Sequence, residues 1–294
     1  MKTHKLKVAA ATTLAAALVL AGCGSDGDTS AAERKGDVAL VDIAVLEAPS
    51  LTSFYAPIID GKKLDIENGL DITFTPKSTV GLRTEVASGA AKVTAGATVL
   101  TDVALLNQEG ADTRFLFNVY NFWGTVATPA DSKLRHLTDL EGEKLVGALS
   151  TTNYAMFKIA AGLAGVDASS FKENSAEPSG LVAAAKSGRE NAVQLWEPAH
   201  SILTTGNDDF RSIDLVDTLH NELAVARVPY VGMAAQRDWL ENNRDLIDPM
   251  YKTFQAAAKF IAENPAEAAT LIAKATDLPE PAIAALLDAP ERLA

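Results

Sequence analysis

Gly124-Thr125-Val126-Ala127-Thr128-Pro129 and Arg227-Val228-Pro229-Tyr230-Val231-Gly232 decide how this chain is organised. At the first, an apolar strand leads into a polar loop and then into Leu140-Glu141-Gly142-Glu143-Lys144. At the second, the chain re-enters a strand after a loop-rich stretch. A segment bracketed by two such crossings reads as an inserted lobe. Two lobes joined by two hinge strands make a cleft that can close on a ligand.

On both sides of the crossings, short strand-like runs alternate with amphipathic helical ones, the pattern of α/β layers. Strands are expected over 38–46, 70–75, 92–95, 114–119, 125–128, 144–148, 192–195 and 230–234. Helices are expected after Ser53 and over 81–88, 102–108, 154–164 and 180–186; Pro57 blurs the start of the first, since proline fits only a first turn. From Asp238 onward the pattern is helical. Asp248-Pro249 and Asn264-Pro265 read as cap-then-proline starts. Asn264 and Glu267 have capping-box spacing, and Phe254, Ala257, Ala258 and Ile261 form an apolar stripe at helical spacing. These C-terminal helices are expected to pack and to carry no chemistry.

The amino terminus reads differently. Lys2, Lys5 and Lys7 precede an apolar stretch from Val8 to Leu20, too short to span a bilayer comfortably. Leu20-Ala21-Gly22-Cys23 closes it as a bacterial lipobox. Residues 1–22 are therefore expected to be a lipoprotein signal peptide. Cys23, the only cysteine, is the expected lipid anchor on the outer face of the cell membrane. The alternative is an ordinary secretory signal with a chance cysteine. Residues 23–36, polar and rich in Gly and Ser, read as a flexible tether.

Composition narrows the function. The formal net charge is −12, and more negative once the three leader lysines are removed. That balance argues against nucleic acid and against broad adsorption to anionic lipid, so the membrane is expected to be met through the anchor alone. Without further thiols the body has no disulfide, zinc–cysteine site or cysteine nucleophile. No Gly-x-Ser-x-Gly, Walker, Gly-x-Gly-x-x-Gly or His-Glu-x-x-His motif occurs, so no catalytic residue, metal or cofactor is expected. Glu197 and His200 share a three-residue spacing, but such a pair holds metal only with further carboxylates. His200 is read as a residue of the surface or behind the site.

Several segments resemble a known family. Trp196-Glu197-Pro198 after a strand, Asp139-Leu140-Glu141-Gly142-Glu143-Lys144 and Asn264-Pro265-Ala266-Glu267-Ala268-Ala269 resemble the solute-binding proteins of ATP-driven (ABC) importers. The similarity is to the nitrate/sulfonate/taurine and thiamine-pyrimidine-precursor branch. Gly69-Leu70-Asp71-Ile72 and Ser88-Gly89 before 93–96 add to it, and it spans about Val38 to Leu287. The chain departs at Ser88-Gly89-Ala90-Ala91-Lys92, where members carry Ser-Gly-x-x-Asp, and it ends at Ala294, about a helix short of many relatives. The resemblance implies a type II periplasmic-binding fold, with lobe I over 37–125 and 230–294 and lobe II over 126–229. It implies a monomer that delivers a small-molecule solute to an ABC permease with a cytoplasmic ATPase. Alternatives are a ligand sensor for a membrane receptor and a pyrimidine-synthase-like enzyme. That enzyme's reaction uses a cysteine-rich motif, absent here.

In open α/β sheets, ligands sit beyond the carboxyl ends of strands, beside helix N-termini. That rule selects Glu47, Ser50 and Tyr55 after the first strand, and Thr98 after the third. Beyond 114–119 it selects Asn121 and Trp123, and beyond 144–148 Thr151, Thr152, Asn153 and Tyr154. Beyond 192–195 it selects Trp196 and Glu197. The 150–154 run is either an oxyanion site or plain capping by Thr151 or Thr152, and both can hold. Asn121-Phe122-Trp123 is otherwise hinge packing. Trp196 is a cleft wall or a core residue, and Glu197 contacts ligand, caps a helix or bridges the lobes. A sulfonate suits the Thr151–Asn153 start. Glu47 and Glu197 favour an amine or nitrogen heterocycle, which Tyr55, Trp123, Tyr154 or Trp196 would stack. The balance leans toward a small organic ligand with an aromatic or amine-bearing part.

Overall fold

The structure, a computed structural model, describes residues 31–96 and 100–293. The leader, Cys23, most of the tether and Thr98 lie outside the described residues.

The first part of the chain forms β1 (Arg34–Lys35), β2 (Val38–Leu46), α1 (Tyr55–Lys62), α2 (Leu64–Glu67), β3 (Leu70–Lys77), α3 (Thr79–Ser88), β4 (Val93–Ala95), α4 (Leu100–Gln108) and β5 (Thr113–Asn121). The middle forms β6 (Thr125–Pro129), β7 (Lys144–Gly147), α5 (Thr152–Leu163), β8 (Lys172–Ser175), α6 (Leu181–Lys186), β9 (Ala192–Leu195), α7 (Ala199–Thr204), β10 (Phe210–Asp214) and α8 (Val216–Leu223). The last part forms β11 (Pro229–Gln236), α9 (Arg237–Asn242), α10 (Ile247–Glu263), α11 (Pro265–Thr276) and α12 (Glu280–Leu287).

These make two sheets and two lobes. In the first sheet β2 pairs in parallel with β3 and β4, and β11 runs antiparallel between β4 and β5. In the second, β7 pairs in parallel with β8 and β9, and β6 runs antiparallel between β9 and β10. Strands β6 and β11 are the two at which the chain changes lobe. Both expected crossings shift slightly. Thr125–Pro129 pairs wholly within the second sheet and Pro229–Gln236 within the first, so the chain crosses just ahead of each strand. The crossings lie side by side, where the Phe122 N–H donates to the Val228 carbonyl at 2.7 Å.

Strand β2 is buried along one face and in part on the other, where Asp42 is exposed and accepts from the Thr75 hydroxyl at 2.6 Å. Ala39, Val41, Ile43 and Val45 enter the main core of the first lobe, while Ala44 joins Leu82, Val86 and Leu106 on the other side. Burying a side chain of this size contributes roughly 1.5–3 kcal/mol, so a charge at Ile43 would break the sheet's centre. Helix α10 turns Met250, Phe254, Ala257 and Ile261 into the same core; Ala258, expected in that stripe, faces solvent. The expected capping box at α11 does not form. Asn264 turns its amide back to the Phe260 carbonyl at 3.3 Å, and Glu267 pairs with Lys62. At the departure in the Ser88–Lys92 segment, Lys92 bonds Asp238 at 2.9 Å.

The C-terminal helices do more than fill the first lobe. Helix α12 packs on α11 and also on α7 of the second lobe. The 3₁₀ turn Pro290–Arg292 that follows brings Arg292 to Glu197. Among the described residues no helix is long and apolar enough to cross a membrane.

Candidate functional site

A cavity of about 300 Å³ lies between the lobes. The first lobe lines it with Glu47, Ser50 and Thr52 after β2, with Lys77, Ser78 and Arg83 around the start of α3, and with Asp102 of α4. The second lobe contributes residues 150–153 ahead of and within α5, Glu177 and Ser179 after β8, and Trp196 and Glu197 after β9. Tyr230, at the second crossing, completes the wall. Strands β2, β3, β7, β8 and β9 all point their carboxyl ends at this space, as open α/β sheets do.

Local structure fixes several of these groups. Ser50 caps the 3₁₀ turn Leu51–Ser53 by accepting from the Thr52 N–H at 3.3 Å. Thr151 caps α5, accepting from the Tyr154 N–H at 3.3 Å and donating its hydroxyl to the Ala148 carbonyl at 2.7 Å. Among the described residues, two side-chain hydrogen bonds tie α5 to the other side of the cavity. Thr152 donates its hydroxyl to Asp102 Oδ2 at 3.0 Å, and Asn153 Nδ2 donates to the Tyr230 hydroxyl. Asn153 is 3% exposed, and its buried Oδ1 has no donor among the described residues. Burial holds the Asp102 carboxyl above its usual range; the Thr152 hydroxyl and the charge of Arg83 pull the other way without offsetting it. Burial likewise raises the Tyr230 hydroxyl.

Seven of the residues expected at the site therefore face one space: Glu47, Ser50, Thr151, Thr152, Asn153, Trp196 and Glu197. Glu47 is exposed and Trp196 half-buried. Four expected residues do not line it. Tyr55 is in the first-lobe core, stacked on Tyr120 at 5.0 Å and edge-on to Phe254 at 5.3 Å; burial pushes its hydroxyl up to about 12. Tyr154 lies over Gly147, where a Cβ would come within 2.5 Å of its ring, and it donates its hydroxyl to Glu173 at 2.9 Å. Asn121 accepts from Asn118 Nδ2 at 3.0 Å. Trp123 sits at the crossing beside the His200 ring, with the Arg292 guanidinium 5.1 Å from its centre.

Glu197 is fully buried and fully engaged. Its Oε2 accepts from the Ser201 N–H at 3.1 Å, and its Oε1 from Arg292 at 3.3 Å, with His200 Nδ1 also at 3.3 Å. Of its three expected roles, it caps α7 and bridges to the C-terminal turn. His200 is not on the surface: it is 4% exposed, and its Nε2 lies 2.7 Å from the Ser212 hydroxyl.

Asp102, Tyr230, Glu177, Lys77 and Arg83 were not among the expected site residues. The strand-end rule reaches Glu177 once β8 is recognised, and Tyr230 stands at the crossing itself. Asp102 reads in sequence as an ordinary acid in the first turn of a helix.

Residues 66–268 match the family model described as "NMT1/THI5 like", well over half of the chain. No match was found among curated protein sequences. Among solved structures, the chain is similar to the periplasmic aliphatic sulphonate binding protein SsuA from Escherichia coli. The TM-score is 0.71 and the identity 19%, over 87% of this chain and 80% of that one. It is also similar to the alkanesulfonate-binding protein SsuA from Xanthomonas axonopodis pv. citri bound to MOPS. There the TM-score is 0.65 and the identity 15%, over 85% and 83% of the two chains. These likenesses establish the two-lobed type II periplasmic-binding fold.

Proposed function

The chain belongs to the NMT1/THI5-like family, and from that premise we propose that it is an extracytoplasmic solute-binding protein of an ABC importer. It is held to the cell membrane by lipid at Cys23 and delivers a small organic solute, sulfonate-like or amine-bearing, to a permease driven by a cytoplasmic ATPase. It works as a monomer and is not an enzyme. The lobes divide at the two crossings just ahead of β6 and β11, so Thr125 goes with lobe II and Pro229 with lobe I.

The observation that carries this reading is the cavity between the lobes, lined from both sheets at their carboxyl strand ends and bridged by Thr152 and Asp102. A solute held there touches both lobes and shifts the open–closed equilibrium by its differential affinity for the two states. Native mass spectrometry of gently purified protein should reveal a co-purified small molecule. Solution scattering should give a smaller radius of gyration with that molecule than after its removal. An unchanged radius would count against a transport receptor. The anchor is tested separately: Cys23→Ala should move the protein from the membrane to the soluble fraction without unfolding the body.

A further inference from the structure

We infer that the interlobe cavity selects a solute carrying a protonated amine, received by Asp102 with Glu47 and Glu177 facing the same space. This rests on the solute-binding reading and names the chemical class of the ligand.

The charges lining the cavity are unevenly matched. Lys77 is bonded to Glu85 at 2.7 Å, and Arg83 to both oxygens of Glu109 at 3.1 and 3.2 Å; neither acid lines the cavity. Both lining cations among the described residues are thus ion-paired with carboxylates outside it, and Arg83 reaches Asp102 only through its charge, without an ion pair. Glu197 is matched by Arg292. Glu47, Asp102 and Glu177 remain, with no ion pair among the described residues. A solute bringing a positive charge supplies the missing partner, whereas a sulfonate adds a further negative one.

The start of α5 would ordinarily favour an anion. Here Thr152 gives its hydroxyl to Asp102, so a carboxylate of the chain itself already stands at that helix start. A second, independent observation is the Asn153 amide. Its Nδ2 is spent on Tyr230, and its buried Oδ1 has no donor among the described residues. An ammonium can donate to such an oxygen; a sulfonate has only acceptors to offer. Trp196 and Tyr230 add aromatic surface to the same wall, and aromatic faces attract cations. A volume of about 300 Å³ suits a small amine.

The test is calorimetric titration of the full chain, in detergent and stripped of co-purified small molecules. The amines are cadaverine, agmatine and histamine; the anionic counterparts are 1-propanesulfonate and benzenesulfonate. At least one amine should bind, with affinity at least tenfold weaker in Asp102→Asn and falling as salt is raised. The sulfonates should not bind. Because Asp102 is half-buried, a Glu47→Gln/Glu177→Gln double variant at two exposed positions serves as a second probe, and should weaken the amine several-fold. Binding of sulfonates alone overturns the charge assignment and leaves the solute-binding reading standing. Amine affinity unchanged in folded Asp102→Asn and in the double variant also overturns it. If no probe binds and native mass spectrometry finds no bound molecule, both readings fail.

Discussion

Glu197 and Asp102 both line the interlobe cavity, and the molecule treats these two carboxylates in opposite ways. At Glu197 the charge is withdrawn completely from solvent and answered by Arg292, by the Ser201 amide and by the neighbouring His200. At Asp102 the charge is half-buried and, among the described residues, receives one hydroxyl, from Thr152. A buried charge is tolerated when its hydrogen-bonding positions are filled. Glu197 meets that condition from within the chain, so it belongs to the architecture: it ties α7 of the second lobe to the C-terminal turn. Asp102 does not, so it has capacity left for something that enters the cavity. Sequence reasoning selected Glu197 by its place after a strand and passed over Asp102, an acid in a first helical turn. Only their partners separate them.

The sharpest way to break that contrast is to remove the matched charge. Glu197→Ala leaves Arg292 and His200 facing a void where their acceptor stood. Losing one partner of a buried ion pair costs about 3–5 kcal/mol. Urea denaturation should show a loss of that order, and Arg292→Ala added on top should cost less than it does alone, because the two changes share one interaction. Additive losses, or a neutral Glu197→Ala, would mean that the ion pair does not hold the lobes.

The tryptophans extend the comparison at smaller amplitude. Trp123 belongs to the Glu197 end, packed between His200 and the Arg292 guanidinium. A cation–π contact taken from water is worth up to about 2 kcal/mol, so Trp123→Ala should lower the melting temperature of the ligand-free protein. Trp196 belongs to the cavity wall. Trp196→Ala should leave that melting temperature nearly unchanged and weaken ligand several-fold, in line with about 0.5–1.5 kcal/mol for an aromatic contact. A reversal of the two phenotypes would exchange their assignments.

The same distinction explains what could be read from the chain. Strands with apolar faces were legible: 38–46 and 192–195 coincide with β2 and β9. Strand β8, Lys172-Glu173-Asn174-Ser175, was not, because it is an edge strand bonded only to β7 and has no apolar face to bury. With β8 unseen, Glu177 in the loop beyond it went unseen too. The 150–153 run was legible because a cap and a strand end coincide there. The placements of Tyr55 and Tyr154 were not, since both follow cavity-lining residues closely in the chain yet turn inward, toward Tyr120 and over Gly147. The fourfold meeting of Glu197, His200, Trp123 and Arg292 joins residues 95 positions apart at its widest ion pair, which no local pattern reports.

The smallest expected effect is the most discriminating. If Asp102 is incompletely compensated, its ionisation weakens the fold. Its carboxyl is held above the usual range chiefly by burial, against the pull of the Thr152 hydroxyl and Arg83. The folded state therefore keeps its proton to higher pH than the unfolded chain does. By linkage, this group lowers stability as pH rises from the unfolded value, about 3.9, through the raised folded value. Asp102→Asn removes that slope. At neutral pH and without ligand the variant should be as stable as the parent or slightly more so. The gain should stay under about 1 kcal/mol, because solvent still reaches the carboxyl and screens it. Below the unfolded value the two proteins should converge. Paired melting curves across that range, with Glu197→Ala as the contrasting case, decide the point. A variant clearly less stable than the parent at neutral pH would make Asp102 a structural carboxylate like Glu197 and remove the difference between the two ends of the cavity.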